Sequence, residues 1–168
     1  MSVRNETNLS GPGLVERIER YLDWFLDLEP RSGPESILKT ILIIYPGIPD
    51  ELAAFNLEPL QKQLKPQFVN RGIMVGQFYA GCPESGLWND SFLALESPMP
   101  LLAIRNMVPS DFPFLHGRRG NRAMLLAYLN KLGTKIPTEV KSVLVDALQA
   151  YDLNLASRGL VRGPRPSC

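Results

Sequence analysis

Histidine is almost missing from this chain: His116 is the only one in 168 residues. One imidazole excludes a multi-histidine zinc centre and the two-histidine facial triad of non-haem iron enzymes. Cysteine is nearly as scarce, with Cys82 and Cys168 alone. Two thiols make no disulfide framework, and Cys168 closes an Arg/Pro/Gly stretch, so reduced thiols in a cytoplasmic setting are expected. Neither sign of charge dominates. A formal net charge of +1 gives no field that would draw nucleic acid or anionic lipid. Long apolar runs are lacking too: the run around Thr40 to Tyr45 has the length of a strand and not of a membrane span. The opening MSVRNETNLSGPG carries no hydrophobic signal region. These absences point to a cytoplasmic protein whose partner is a small molecule, with no nucleic acid and no membrane; they leave the oligomeric state open.

What is present is the composition of an ordinary globule, 45% hydrophobic and 21% charged, long enough to bury a core without staples. We expect a disordered N-terminus over 1–12, one domain over 13–152 and a flexible basic tail over 153–168. Leu14, Ile18, Tyr21, Leu22 and Phe25 recur on one face of a helix ending near Asp27. Ile37 to Tyr45 reads as a strand buried on both faces, closed by Pro46-Gly47. Asp50 to Asn70 is helical, with Leu52, Phe55, Leu60, Leu64 and Phe68 as core positions; Pro59 and Pro66 predict a kink or two shorter helices. Gly72 is its left-handed stop. Ile73 to Phe78 and Leu101 to Asn106 are further strands, the first of them parallel to the earlier strand through a helical crossover. Helices over Asn121 to Leu132 and from Thr138 to about Tyr151 finish the chain. The fold class expected is α+β, a small mixed sheet of about three or more strands packed with helices.

Residues 79–99 form a long Gly/Pro/Asn/Asp-bearing segment between two strands, and a loop of that length inside a domain is usually functional. Cys82 stands in it, in Ala80-Gly-Cys-Pro-Glu-Ser-Gly, where a thiolate could attack a substrate or ligate a haem iron, or where a small side chain could simply pack. As a loop residue it is expected to tolerate alanine with little effect on folding. Tyr79 and Trp88 are candidate walls of a pocket under this segment. Arg105 follows the apolar run Leu101-Leu-Ala-Ile and suits either a substrate carboxylate or an ion pair with Asp111. Asp111, between Pro109 and Pro113, suits substrate binding or a turn cap. His116 lies in an exposed-looking turn, and Gly117-Arg-Arg-Gly-Asn-Arg lacks the lysine and spacing of a phosphate-binding loop. No metal site is expected from these residues.

Over Leu64 to Leu115, and more weakly at Trp24-Phe25-Leu26, the sequence also resembles a bacterial and fungal family built on a domain of unknown function. Its pattern runs roughly GLM-x-G-x-FHP … GL-x-NP-x-F-x-PL-x-SP-x-PLLAIRHMV-x-x-D-x-PFL. The residues that carry the resemblance are Gly72, Met74, Gly76 and Phe78; Gly86, Leu87, Asn89 and Phe92; Ser97 and Pro98; Pro100 to Arg105; then Met107, Val108, Asp111 and Pro113 to Leu115. The family is distantly similar to YqcI/YcgG-type haem proteins, some of which N-hydroxylate amino acids. The resemblance thus implies haem as cofactor and oxidative chemistry. It also places Tyr79 and Asn106 where the family carries histidines. The N-terminal Cys-Pro-Phe stretch of the haem proteins has no cysteine in its counterpart here, Leu28 to Ile37.

Two functions follow as expectations. One is a tailoring enzyme of specialised-metabolite biosynthesis, an oxidoreductase if haem binds through Cys82, with Arg105, Tyr79, Trp88 and Asp111 around the substrate. The other is a non-catalytic accessory or ligand-binding protein that kept the scaffold and lost the haem ligands.

Overall fold

The computed structural model describes residues 13–86, 89–115 and 120–157. The expected disordered start, the part of the basic tail from 158 onward, Trp88, His116 and Gly117-Arg-Arg lie outside the described residues. The chain divides into two compact units, residues 1–107 and 108–168.

The first unit is α+β. Helix α1, Leu14–Asp27, buries Leu14, Ile18, Leu22 and Phe25, the one face that its apolar spacing dictates. A 3-10 turn, Pro34–Leu38, leads into β1, Thr40–Ile44. Helix α2 runs from Asp50 to Asn70, and β2, Ile73–Phe78, follows. The segment 79–99 then returns the chain to β3, Leu101–Asn106. Gly72, at φ +79°, supplies the left-handed turn between α2 and β2.

Strand β3 lies between the other two, in the order β1-β3-β2, and both pairings are antiparallel. β1 and β2 therefore run in the same direction, as a crossover through α2 requires. They are one strand apart, and the slot between them is filled by β3 coming back the other way. The expected mixed sheet is consequently antiparallel at every hydrogen-bonded pair. Ile41, Ile104 and Val75 stand in one cross-strand row, Ile43 and Leu102 in the next. These side chains share the core with α1 and with Leu57, Leu60, Leu64 and Phe68 of α2. β1 packs one face on the core, as antiparallel sheets commonly do, so its burial alternates instead of being two-sided: Ile41 and Ile43 are buried while Leu42 is 47% exposed.

Helix α2 departs from expectation in two ways. It is one helix with Pro59 and Pro66 inside it. Each proline removes a bond to the carbonyl four residues back, here at Phe55 and Lys62. Both of those residues and both prolines are exposed, so water can serve the freed carbonyls while the buried stripe continues unbroken. That stripe is Ala53, Leu57, Leu60, Leu64 and Phe68. At 100° per residue Phe55 falls on the opposite side, and it is 79% exposed; Leu52 is exposed as well. These two expected core positions are surface positions.

The second unit opens with a 3-10 turn, Pro109–Phe114, followed by α3, Arg122–Leu132, and α4, Thr138–Ser157. The Asn121 side chain caps α3 by accepting from the Met124 N–H at 3.0 Å. Tyr128 donates its hydroxyl to the Pro109 carbonyl at 2.6 Å and its ring tilts against Phe112. In α4 Leu144 is buried and Val143 is exposed, and the helix outruns its expected end near Tyr151. No helix among the described residues is long and apolar enough to cross a membrane.

Candidate functional site

The chemistry-bearing residues expected around one pocket divide between the two ends of the sheet. β2 ends at Phe78, beside the start of β3 at Leu101; β3 ends at Asn106, beside the start of β2 at Ile73. Tyr79 and Cys82 follow the end of β2. Arg105 lies opposite Met74 and Thr40, four residues and about 13 Å along the strand. The antiparallel register thus sets Arg105 apart from the thiol and the phenol.

At the Tyr79 end the chain turns sharply. The Cys82 N–H donates to the Tyr79 carbonyl at 3.2 Å, and Gly81 supplies φ +71°. The same carbonyl accepts from Ser97, and the Tyr79 N–H donates to Leu95, both at 3.3 Å. Further along, Ala94 N–H bonds to Glu84, Gly86 N–H to Phe92, and Ser85 pairs with Leu93. The segment expected as a long loop is therefore a folded excursion, rooted on Tyr79 and laced by its own backbone.

Side chains fasten the root. Tyr79 is 4% exposed and Cys82 is fully buried, and both belong to the core cluster that includes Leu57 and Leu60 of α2. The Tyr79 hydroxyl donates to Glu58 Oε1 at 2.8 Å. Burial foremost, then the bond to the Glu58 carboxylate and the neighbouring Cys82 side chain, hold the phenol protonated well above its ordinary range. Tyr79 is thus a proton donor fixed on a carboxylate. Glu58 is half-buried and lies 3.9 Å from Lys62 one turn on. The charge nearest Tyr79 is this anion, with Lys62 on its far side; among the described residues no hydrogen bond or ion pair joins the thiol to a cation, the setting that activates one. The expectation that Cys82 is a dispensable loop residue is corrected here: the thiol fills core space.

Arg105 is half-buried, and its Nη1 donates to the Asn106 carbonyl at 2.9 Å. Asn106, where the resemblance has a histidine, donates to the Ser36 carbonyl at 2.7 Å. Asp111 belongs to the second unit. It is 1% exposed, and its Oδ2 accepts from the Val108 N–H at 2.8 Å, which closes the 3-10 turn. Among the described residues no group of three or more His, Cys, Asp or Glu is placed to hold a metal ion. Glu58 is the member of the cluster that sequence reasoning missed. Its position three residues beyond Phe55, off the buried stripe, was the available signal, but the expected frame of α2 put Phe55 in the core.

Comparison with protein families places residues 1–143 within the profile of one described as a domain of unknown function (DUF6875). No curated protein and no solved structure matches the chain.

Proposed function

We propose that this chain, which belongs to the DUF6875 family of unknown function, is a non-catalytic accessory or ligand-binding protein. The observation that carries this reading is the complete burial of Cys82 in the core beneath the excursion. Haem held through that thiol would need an open face for a planar macrocycle and a setting that favours thiolate. The residues around Cys82 supply neither: the thiol is fully buried, and the neighbouring Tyr79 hydroxyl is spent on an anion. The haem expectation does not fit these residues, and no oxidative step is derived from it.

The excursion itself supports a binding role. Its described residues are ordered between two adjacent strands at the cost of their chain entropy, and it turns Phe92 and Met99 outward. A reduced buried thiol and a net charge of +1 favour a cytoplasmic protein that engages neither membrane nor nucleic acid. The test is a titration of the protein with haemin, followed in the visible spectrum. A protein that gives no Soret band beyond that of free haemin supports the reading. A Soret band that disappears with Cys82→Ala overturns it.

A second reading draws on the Tyr79–Glu58 pair, a hydroxyl and a half-buried carboxylate in hydrogen bond. Such a pair suits proton transfer in a non-redox tailoring step on a small molecule of specialised metabolism. Turnover of a candidate intermediate by wild type, lost in Glu58→Gln at unchanged stability, would favour it.

A further inference from the structure

We infer that the surface made by the first half of α2 and the 79–99 excursion docks a cationic, amphipathic segment of a partner protein; this deepens the binding reading above and rests on it. Charge is the first observation. Lysine plus arginine number 18 against 17 acidic residues over the whole chain, yet residues 50–61 and 79–99 contain no lysine, arginine or histidine; the first cation beyond them on α2, Lys62, lies 3.9 Å from Glu58 and offsets that one acid. These segments contain Asp50, Glu51, Glu58, Glu84, Asp90 and Glu96. A near-neutral protein has gathered a third of its acids onto two segments.

The second observation is that these segments adjoin at Glu58 and Tyr79. The Tyr79 hydroxyl bonds to Glu58, and Cys82 shares its core cluster with Leu57 of α2 while Leu95 packs against it. On α2, Leu52, Phe55 and Glu58 follow one another at three-residue spacing and so form a stripe away from the core. Glu58 roots that stripe on the excursion.

The third is apolar exposure among the acids. Phe55 is 79% exposed and Phe92 61%, with Leu52 and Met99 also exposed. Aromatic side chains standing in an acidic field offer two complements at once: anchors for apolar residues, and attraction for lysine or arginine between them. A basic amphipathic helix has both, in one face and its borders. Anionic lipid and nucleic acid have the wrong sign.

The test uses the full chain and three labelled peptides of equal length: a Lys/Leu amphipathic helix, its Glu/Leu counterpart and a Gln/Leu one. Binding is read by fluorescence anisotropy at about 50 mM and about 300 mM salt. The expected result is binding of the Lys/Leu peptide alone, weakened roughly tenfold or more by high salt, by Asp90→Lys/Glu96→Lys and, separately, by Phe55→Ser. Thermal melts check that both variants fold, and Asp90→Lys alone, on the exposed excursion, serves if the double variant does not. Lys/Leu binding that ignores the charge reversal overturns the inference. Gln/Leu binding as tight as Lys/Leu binding, still lost in Phe55→Ser, overturns the cationic partner and leaves the binding reading standing. If no peptide binds, the inference falls, while the haemin titration still judges the reading beneath it.

Discussion

The root and the outer surface of the 79–99 excursion use opposite chemistry. At the root stand the groups that ordinarily signal catalysis, a thiol, a phenol and a carboxylate, and two of the three are buried in the core. On the outside stand groups that ordinarily signal a core, Phe92 and, on the adjoining helix, Phe55, and both are exposed. Residue type alone would assign reaction to the first region and packing to the second. Burial reverses the assignment: a thiol without access to substrate holds structure, and an aromatic ring left in water is available for recognition.

The largest expected effect tests the frame that makes this contrast possible. Leu102 sits fully buried in the central strand, paired with Ile43 and Gln77. Leu102→Asp would bury an unpaired charge and cost more than about 4 kcal/mol. The variant should show no cooperative melt; a variant that melts within a few degrees of wild type would break the strand placement and the root with it.

Next comes the root's hydrogen bond. Tyr79→Phe removes the donor to Glu58 and should cost about 1–2 kcal/mol, less than a fully buried charged acceptor would give because Glu58 keeps access to water. The pH dependence sharpens this. The folded phenol titrates above its unfolded value of 10.0, so the native state binds more protons than the unfolded chain above that pH. The stabilisation is fully present below about pH 10 and is lost as pH rises further. Wild type should lose melting temperature steeply as pH rises above about 10, and Tyr79→Phe less steeply. Tyr128, pushed up to about 12 by burial and by the Asp111 charge, keeps a residual slope in that variant. Equal slopes for the two proteins would remove Tyr79 from the root.

Cys82→Ala should cost about 1 kcal/mol, the loss of one small buried group and the space it leaves. Calorimetric melts decide it: no change in stability would mean the thiol is not packed as the core cluster requires, and would reopen it as a reactive group.

Much of this architecture was legible in the sequence, and the misses share a physical cause. Helix α1 was readable because its apolar residues keep one strict face, and Gly72 because a chain reversing after a helix needs positive φ. The three strands were readable as apolar runs, but their order was not, since a run of Leu, Ala and Ile states nothing about which neighbour it pairs with. That one missing fact gathered Arg105 with Tyr79 and Cys82, which the antiparallel register then separated. In α2 two apolar frames compete, one through Leu52 and Phe55 and one through Ala53 and Leu57. Only packing against the sheet selects the second. Glu58, unremarkable in sequence, became the fastening point of the excursion through that selection.

The smallest expected effect probes the other half of the comparison. Phe55 and Leu57 are both apolar, two residues apart on α2, yet one is 79% exposed and the other fully buried. Leu57→Ala should cost about 2–5 kcal/mol, because it opens a cavity among α2, β2 and the excursion's root. Phe55→Ala removes almost no buried area and replaces an aromatic residue by the best helix former, so stability should be unchanged or rise by up to about 0.5 kcal/mol. On the binding reading proposed above, Phe55 serves recognition, and the fold should not need it. Denaturant melts of the two variants make the contrast measurable. If Phe55→Ala cost as much as Leu57→Ala, Phe55 would be packing rather than recognition, and the distinction between the root and the outer surface would collapse.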